Sequence, residues 1–160
     1  MRYIYIIFIL IISLPASAKD FPAIVGRASV IDGDTIDIQG QRIRIWGIDA
    51  PESRQTCEDT DHMPYRCGKV SAFALSDWLD KSQPITCEPK YKDRYQRFVA
   101  MCYRYDKQDI GLFMIKNGYA LDWPRYSKGF YAEVQMEAEQ DKKGIWQGSF
   151  IEPWKWRRKK

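Results

Sequence analysis

Cys87 stands six residues before Asp93, and Cys102 stands six residues after Gln96. Residues 85–89 and 97–105 are rich in strand-forming types, and Asp93-Arg94-Tyr95-Gln96 between them reads as a hairpin turn. Opposed residues of a simple hairpin are equally far from its turn, so the two cysteines face each other at about 4.5 to 5.5 Å between Cα atoms. A disulfide spans that gap, and once formed it holds the two strands in one register.

Four cysteines permit three connectivities. With Cys87–Cys102 set by the hairpin, Cys57–Cys67 follows by elimination. The stretch between Cys57 and Cys67 is polar and aperiodic, so it reads as a loop stapled at its ends. Closing it contributes about 2 to 3 kcal/mol by restricting the unfolded chain. The spacing fits neither a paired C-x-x-C zinc site nor a thioredoxin motif, which leaves a metal site as the weaker reading of these cysteines.

Disulfides imply an oxidising compartment, and the N-terminus agrees. Met1-Arg2-Tyr3 precedes an apolar run over residues 4–14 and then Pro15-Ala16-Ser17-Ala18. That order reads as a secretory signal peptide (1–18) cut after Ala18. The run is too short for a membrane span, which needs about 20 apolar residues. The expected address is exported, periplasmic or secreted, with no membrane span after cleavage. Residues 19–160 then have the length of one domain with one core. The formal net charge of +4 includes Arg2, and this mild excess permits a polyanionic partner without requiring one.

Residues 24–48 are β-branched and broken by Asp32-Gly33-Asp34 and Gln39-Gly40-Gln41, which predicts three short strands in meander order. Arg42, Arg44 and Trp46 alternate with Ile43, Ile45 and Gly47, so the arginines share one face and the isoleucines the other. A first helix is expected from Gly68, with Val70, Phe73, Ala74 and Trp78 facing the core, ending at Ser82-Gln83-Pro84. A second, over 109–116, places Ile110, Phe113 and Met114 inward between caps at Asp109 and Asn117-Gly118. A third is expected over 130–142, with Phe130, Val134 and Ala138 inward, Glu133 and Glu137 solvated, and Gly144 ending it. The basic, Trp-bearing tail, about 152–160, reads as a solvated, disordered segment, although its tryptophans and cations also suit base stacking and phosphate neutralisation. Strands, helix, strand pair and helices together indicate a small α+β barrel.

Asp32-Gly33-Asp34-Thr35 and Asp49-Ala50-Pro51-Glu52 put carboxylates at strand ends, where a hard, oxygen-seeking cation can be held. Each alone is an ordinary turn. Arg44, on the strand leading to the second piece, and Arg97, just beyond the hairpin turn, add the guanidinium groups that suit phosphate handling. The sole histidine, His62, falls in the stapled loop and reads as a loop residue, which argues against chemistry that depends on a catalytic histidine and against histidine-rich zinc sites.

The ordered set Val30-Ile31-Asp32-Gly33-Asp34-Thr35, Arg44-Ile45-Trp46-Gly47-Ile48-Asp49-Ala50-Pro51-Glu52 and Asp93-Arg94-Tyr95-Gln96-Arg97 resembles the staphylococcal nuclease family. Asn117-Gly118-Tyr119-Ala120 and Gly144-Ile145-Trp146 extend the similarity. The resemblance implies a five-stranded OB-fold barrel with three helices and a Ca2+ ion held by Asp34, Asp49 and the backbone carbonyl of Ala50. It implies Arg44, Glu52 and Arg97 as the catalytic group. Arg94 and Tyr95 match a pair near the bound nucleotide, and Tyr126 lies near another family aromatic.

What the resemblance implies functionally is an exported, calcium-dependent nuclease. It would cut DNA and RNA with low sequence specificity by in-line attack of water, leave 3′-phosphate products, and act as a monomer with no stable protein partner. Gln96 departs from the family's usual glycine and raises a different expectation, an inactive OB-fold nucleic-acid-binding module. A disulfide-stapled envelope protein with structural acidic turns is a third reading, and it leaves the arginines and carboxylates unexplained. The cysteines resemble those of exported bacterial relatives.

Overall fold

The computed structural model describes residues 21–159, so the expected signal peptide lies outside the described residues. The chain opens with β1 (Ile24–Gly26), β2 (Ala28–Asp32), β3 (Thr35–Ile38), β4 (Gln41–Ile45) and β5 (Ile48–Asp49). Next come β6 (Cys57–Glu58), β7 (Pro64–Tyr65), α1 (Cys67–Asp80), β8 (Ile85–Lys92), β9 (Phe98–Tyr103) and α2 (Ile110–Lys116). It ends with β10 (Leu121–Asp122), α3 (Pro124–Ser127), α4 (Ala132–Gln140) and α5 (Pro153–Trp156).

Six strands form one mixed sheet in the order β1-β8-β9-β4-β3-β2. Its two outer members, β1 and β2, are consecutive in sequence with only Arg27 between them. They act as one bent strand that pairs with β8 at one end and β3 at the other. The sheet thereby returns to its own start, and the expected five-stranded OB-type barrel appears as six short strands. The meander of β2, β3 and β4 is antiparallel as expected, whereas β4 and β9 run parallel.

Alternation along the strands fills the barrel. Ile36, Ile38, Ile43, Ile45 and Ile85 are buried, with Leu75 and Leu79 of α1 and Met114 of α2 in the same cluster. Arg44, between two buried isoleucines, points to the opposite face of β4.

Both disulfides join the expected partners, Cys57–Cys67 and Cys87–Cys102. Cys87 does oppose Cys102, but the turn differs from the simple hairpin. Asp93 N–H donates to the Arg97 carbonyl at 3.0 Å, so three residues, not two, form the loop. Lys90 is unpaired between Pro89↔Ala100 and Tyr91↔Val99, a β-bulge that adds one residue to the other strand. The two extra residues cancel by the time the strands reach the cysteines.

The helices required two corrections. In α1 the buried residues are Cys67, Gly68, Ser71, Leu75 and Leu79, while Val70 and Phe73 are 45% and 57% exposed. The inward face carries a glycine and a serine: Ser71 Oγ donates to the Tyr119 carbonyl at 2.7 Å. The inward stripe is the one that carries Leu75 and Leu79, so Val70 and Phe73 fall outside it while Trp78 packs at its edge. Trp78 is half-buried and stacks on Phe113, ring centroids 4.0 Å apart. In α4 the helix starts at Ala132, and Phe130 is 61% exposed. Tyr131 is the buried anchor, its hydroxyl donating to Asp109, the α2 N-cap. Helix α2 follows expectation, with Asp109 accepting from Leu112 N–H. Among the described residues no helix is long and apolar enough to cross a membrane.

Candidate active site

One cavity of about 620 Å3 opens at the barrel end where β2 meets β3 and β4 leads into β5. Its lining includes Asp34, Arg44, Ala50, Glu52 and Arg97, and Asp49 is fully buried behind it. The expected acids and arginines, spread along the sequence, are brought to one place.

Asp34 sits in the tight turn between β2 and β3. A side chain at Gly33 would lie 2.1 Å from Ser71 Oγ and 2.7 Å from Ala50 Cβ, so only glycine lets the turn press this close to α1 and the β5 end. Thr35 Oγ1 donates to Asp34 Oδ1 at 2.9 Å, and Ala50 N–H donates to Oδ2 at 3.1 Å. Arg44 reaches both acids: Nη1 to Asp34 Oδ1 at 3.0 Å, and Nη2 to Asp34 Oδ2 at 2.9 Å and Asp49 Oδ1 at 2.6 Å. Asp49 is carried by β5, which pairs with β10 through Leu121. Glu52 follows Pro51; its N–H donates to Gln55 Oε1 at 3.2 Å, and buried Gln55 donates onward to the Ile151 carbonyl at 2.6 Å.

Three acids crowd this corner. Burial and the charge of Asp34 push Asp32 up to about 7. Burial and the same charge push Asp49 up to about 6, against the pull of Arg157 and Arg44. For Asp34 burial also acts upward, but the Arg44 guanidinium and the Ala50 N–H outweigh it and hold the acid below the ordinary carboxylate range.

Arg97 lines the same cavity but does not contact these acids through the bonds just described. Its Nε donates to Asp93 Oδ2 at 2.8 Å, and its own N–H donates to Asp93 Oδ1 at 3.0 Å. Asp93 thus builds the turn and aims the guanidinium. Gln96, in place of glycine, takes a left-handed φ of 64°, so the turn keeps a glycine-type conformation without the glycine. Arg94, Tyr95 and Tyr126 also line the cavity, and Arg94 donates to the Tyr95 hydroxyl at 2.6 Å.

Among the lining residues that were not anticipated are Tyr91, Arg125, Trp123 and Arg157, of which the last two bear directly on the acids and arginines. Trp123, whose backbone N–H donates to the Gly47 carbonyl at 2.8 Å, lies near two guanidinium groups, with Arg44 at 5.5 Å and Arg157 at 5.4 Å from its ring centroid. Arg157 comes from the C-terminal segment and corrects the expectation of a solvated tail. Its Nη2 donates to Asp49 Oδ1 and Oδ2 at 3.0 and 2.8 Å, and its Nη1 donates to Glu52 Oε1 at 2.7 Å. Trp154 stacks on Trp123 with planes 10° apart, and Pro153 is buried. Only the alternating tryptophans and cations of the tail hinted at this docking.

The carboxylate and carbonyl oxygens here suit a hard divalent ion, and crowded carboxylates gain most from positive charge between them, which Arg44 and Arg157 supply in this structure. Among the described residues no three His, Cys, Asp or Glu side chains form a ready-made cage. An ion held by Asp34, Asp49 and the Ala50 carbonyl would complete its shell with water or substrate oxygen.

The fold and site define the class: a closed OB-type barrel whose mouth gathers carboxylates and arginines. Residues 42–148 match the family described as staphylococcal nuclease homologues, and the chain belongs to that family. It is 33% identical over 174 residues to a micrococcal nuclease of Shigella flexneri, across 99% of this chain and 92% of that protein. It is 31% identical over 166 residues to an uncharacterized endonuclease of Escherichia coli O157:H7, across the full length of both. The succinoglycan biosynthesis protein ExoI of Rhizobium meliloti (strain 1021) is 47% identical over 123 residues; the match covers 77% of this chain and 64% of that protein, just under two thirds of its length.

Proposed function

We propose that the protein is an exported, calcium-dependent nuclease that hydrolyses phosphodiester bonds of DNA and RNA with little sequence preference. The observation that carries this reading is the gathering of Asp34, Asp49, Glu52, Arg44 and Arg97 around one cavity. The nuclease relatives support the reaction class, and two disulfides support an oxidising destination.

Calcium would supply positive charge to a phosphoryl oxygen and organise the acids. The rest falls to the chain. Arg44 and Arg97 donate to the phosphoryl oxygens, more strongly as negative charge accumulates toward the transition state. Glu52 orients the attacking water in line with the leaving oxygen and takes its proton. Tyr95, Tyr126 and Arg94 flank the nucleotide, and Trp123 walls the site. Water attack with departure of the 5′-oxygen leaves a 3′-phosphate. The binding-module reading drew on Gln96; what speaks against it is that Gln96 keeps a left-handed φ while Arg97 lines the cavity.

The test is a DNA-containing gel assay on purified, oxidised protein. Cleavage is expected with calcium and none with chelator. Robust cleavage in excess chelator would falsify the metal role, and DNA retention without cleavage would favour the binding module. Glu52→Ala and Arg97→Ala are each expected to lower turnover by about 10²-fold or more with an unchanged circular dichroism spectrum. Near-normal turnover in either variant refutes the role given to that residue.

A further inference from the structure

Arg157 stands in direct competition with any cation that uses this acid cluster. Both oxygens of Asp49 accept from its Nη2, and Glu52 Oε1 accepts from its Nη1. Asp49 has no solvent-exposed surface of its own. Its Oδ1 also accepts from Arg44, which stays anchored by Asp34, so the guanidinium that an approaching ion must displace from Asp49 Oδ2 and Glu52 is that of Arg157. A divalent ion at Asp49 and a guanidinium within 3 Å of the same oxygens repel each other strongly in a partly dry cleft.

The docking is built by more than one ion pair. Trp154 lies parallel to Trp123 at 6.2 Å between centroids, and Trp123 is the ring that Arg157 and Arg44 share. Upstream, Ile151 is tied by its carbonyl to buried Gln55, whose side chain also accepts from Glu52 N–H. The segment is therefore anchored at Ile151 beside the loop that carries Glu52. Residues 153–159 form the arm beyond that anchor.

We propose that Arg157 is a resident substitute for the divalent ion: its docking on Asp49 and Glu52 and calcium entry exclude one another, so the C-terminal arm sets the calcium threshold of the site. The proposal rests on the calcium-dependent reading of the same acids. When calcium enters, Arg157 leaves the carboxylates, Glu52 is freed, and the Trp154–Trp123 stack opens. The apparent calcium affinity is reduced by the fraction of molecules that have the arm docked. An arm docked in about nine molecules of ten weakens binding about tenfold.

The experiment is calcium titration of the oxidised protein by calorimetry, with tryptophan emission followed in parallel, on wild type, Arg157→Ala and Arg158→Ala. Arg158 lies one residue on, is exposed and carries the same charge. Arg157→Ala is expected to bind calcium about tenfold more tightly, and Arg158→Ala to match wild type. In wild type the emission change is expected to share the calorimetric midpoint. Equal or weaker binding by Arg157→Ala overturns the proposal, as does an equal gain in Arg158→Ala, which would reduce the effect to net charge. If neither wild type nor Arg157→Ala binds calcium at millimolar concentration, the calcium reading fails and takes this proposal with it. Calcium binding with equal affinity sinks the proposal alone.

Discussion

Gln96 holds a φ of 64°, a region where a side chain costs about 1 kcal/mol or more relative to glycine. Gln96→Gly is expected to raise stability by about 1 kcal/mol in urea unfolding and to leave Arg97 in place, because the Asp93 bonds that aim it do not involve residue 96. A loss of stability would show that the Gln96 side chain makes a compensating contact. Asp32 and Asp49 carry a pH signature. Their folded pKa values, about 7 and about 6, lie above the ordinary 3.8, so the fold favours their protonated forms. That stabilisation is fully present below pH 3.8 and is lost as pH rises through 6 to 7. In chelator, the melting temperature is expected to fall progressively from pH 3.8 to about 7, and Asp32→Asn, which keeps an oxygen for the Asp34 N–H, should flatten the fall. A flat profile for the wild-type protein contradicts the crowding of these acids. The acids and Arg44 were legible in sequence because short strands and turns present them locally. Arg157 was not, since its partners lie 105 and 108 residues away and only packing of the tail unites them.

At the level of elements, the hairpin shows how a correct pairing emerged from a simplified geometry. Counting outward from a two-residue loop found Cys87 opposite Cys102 because the longer loop and the Lys90 bulge offset each other. Helix α1 shows the opposite case. Its inner face is apolar at Leu75 and Leu79, but its first turns carry Gly68 and Ser71, which serve close approach and a hydrogen bond, so Val70 and Phe73 misdirected the reading there. Gly68 also bears on the chemistry. A methyl group there would sit 1.8 Å from the Glu52 carbonyl oxygen and 2.9 Å from that of Pro51. Gly68→Ala must displace the backbone that carries Glu52, at a cost of about 1 to 3 kcal/mol. Turnover is expected to drop about 10²-fold while the protein still folds; activity kinetics beside a melting curve separate the two effects, and wild-type turnover would mean that Glu52 tolerates the shift.

Across the whole molecule, the stapled loop and the barrel answer different needs. The Cys57–Cys67 bridge closes a loop between Glu52 and α1, whose first residue is Cys67. Replacing both cysteines with serine is expected to cost about 2 to 3 kcal/mol in urea unfolding. An unchanged midpoint would show that the loop is held by its packing alone. The barrel's closure was not readable from the strand pattern, because a bend at one residue, Arg27, lets neighbouring strands serve opposite edges of the sheet. The family match covers residues 42–148, which begins inside β4 and omits β1 to β3. A protein trimmed to those limits would bare a row of backbone amides and carbonyls along β4 and β8 and would lack Asp34 entirely. Naked sheet borders of that kind invite strand-to-strand clumping between molecules, so the shared segment is a poor guide to the smallest piece that stands alone.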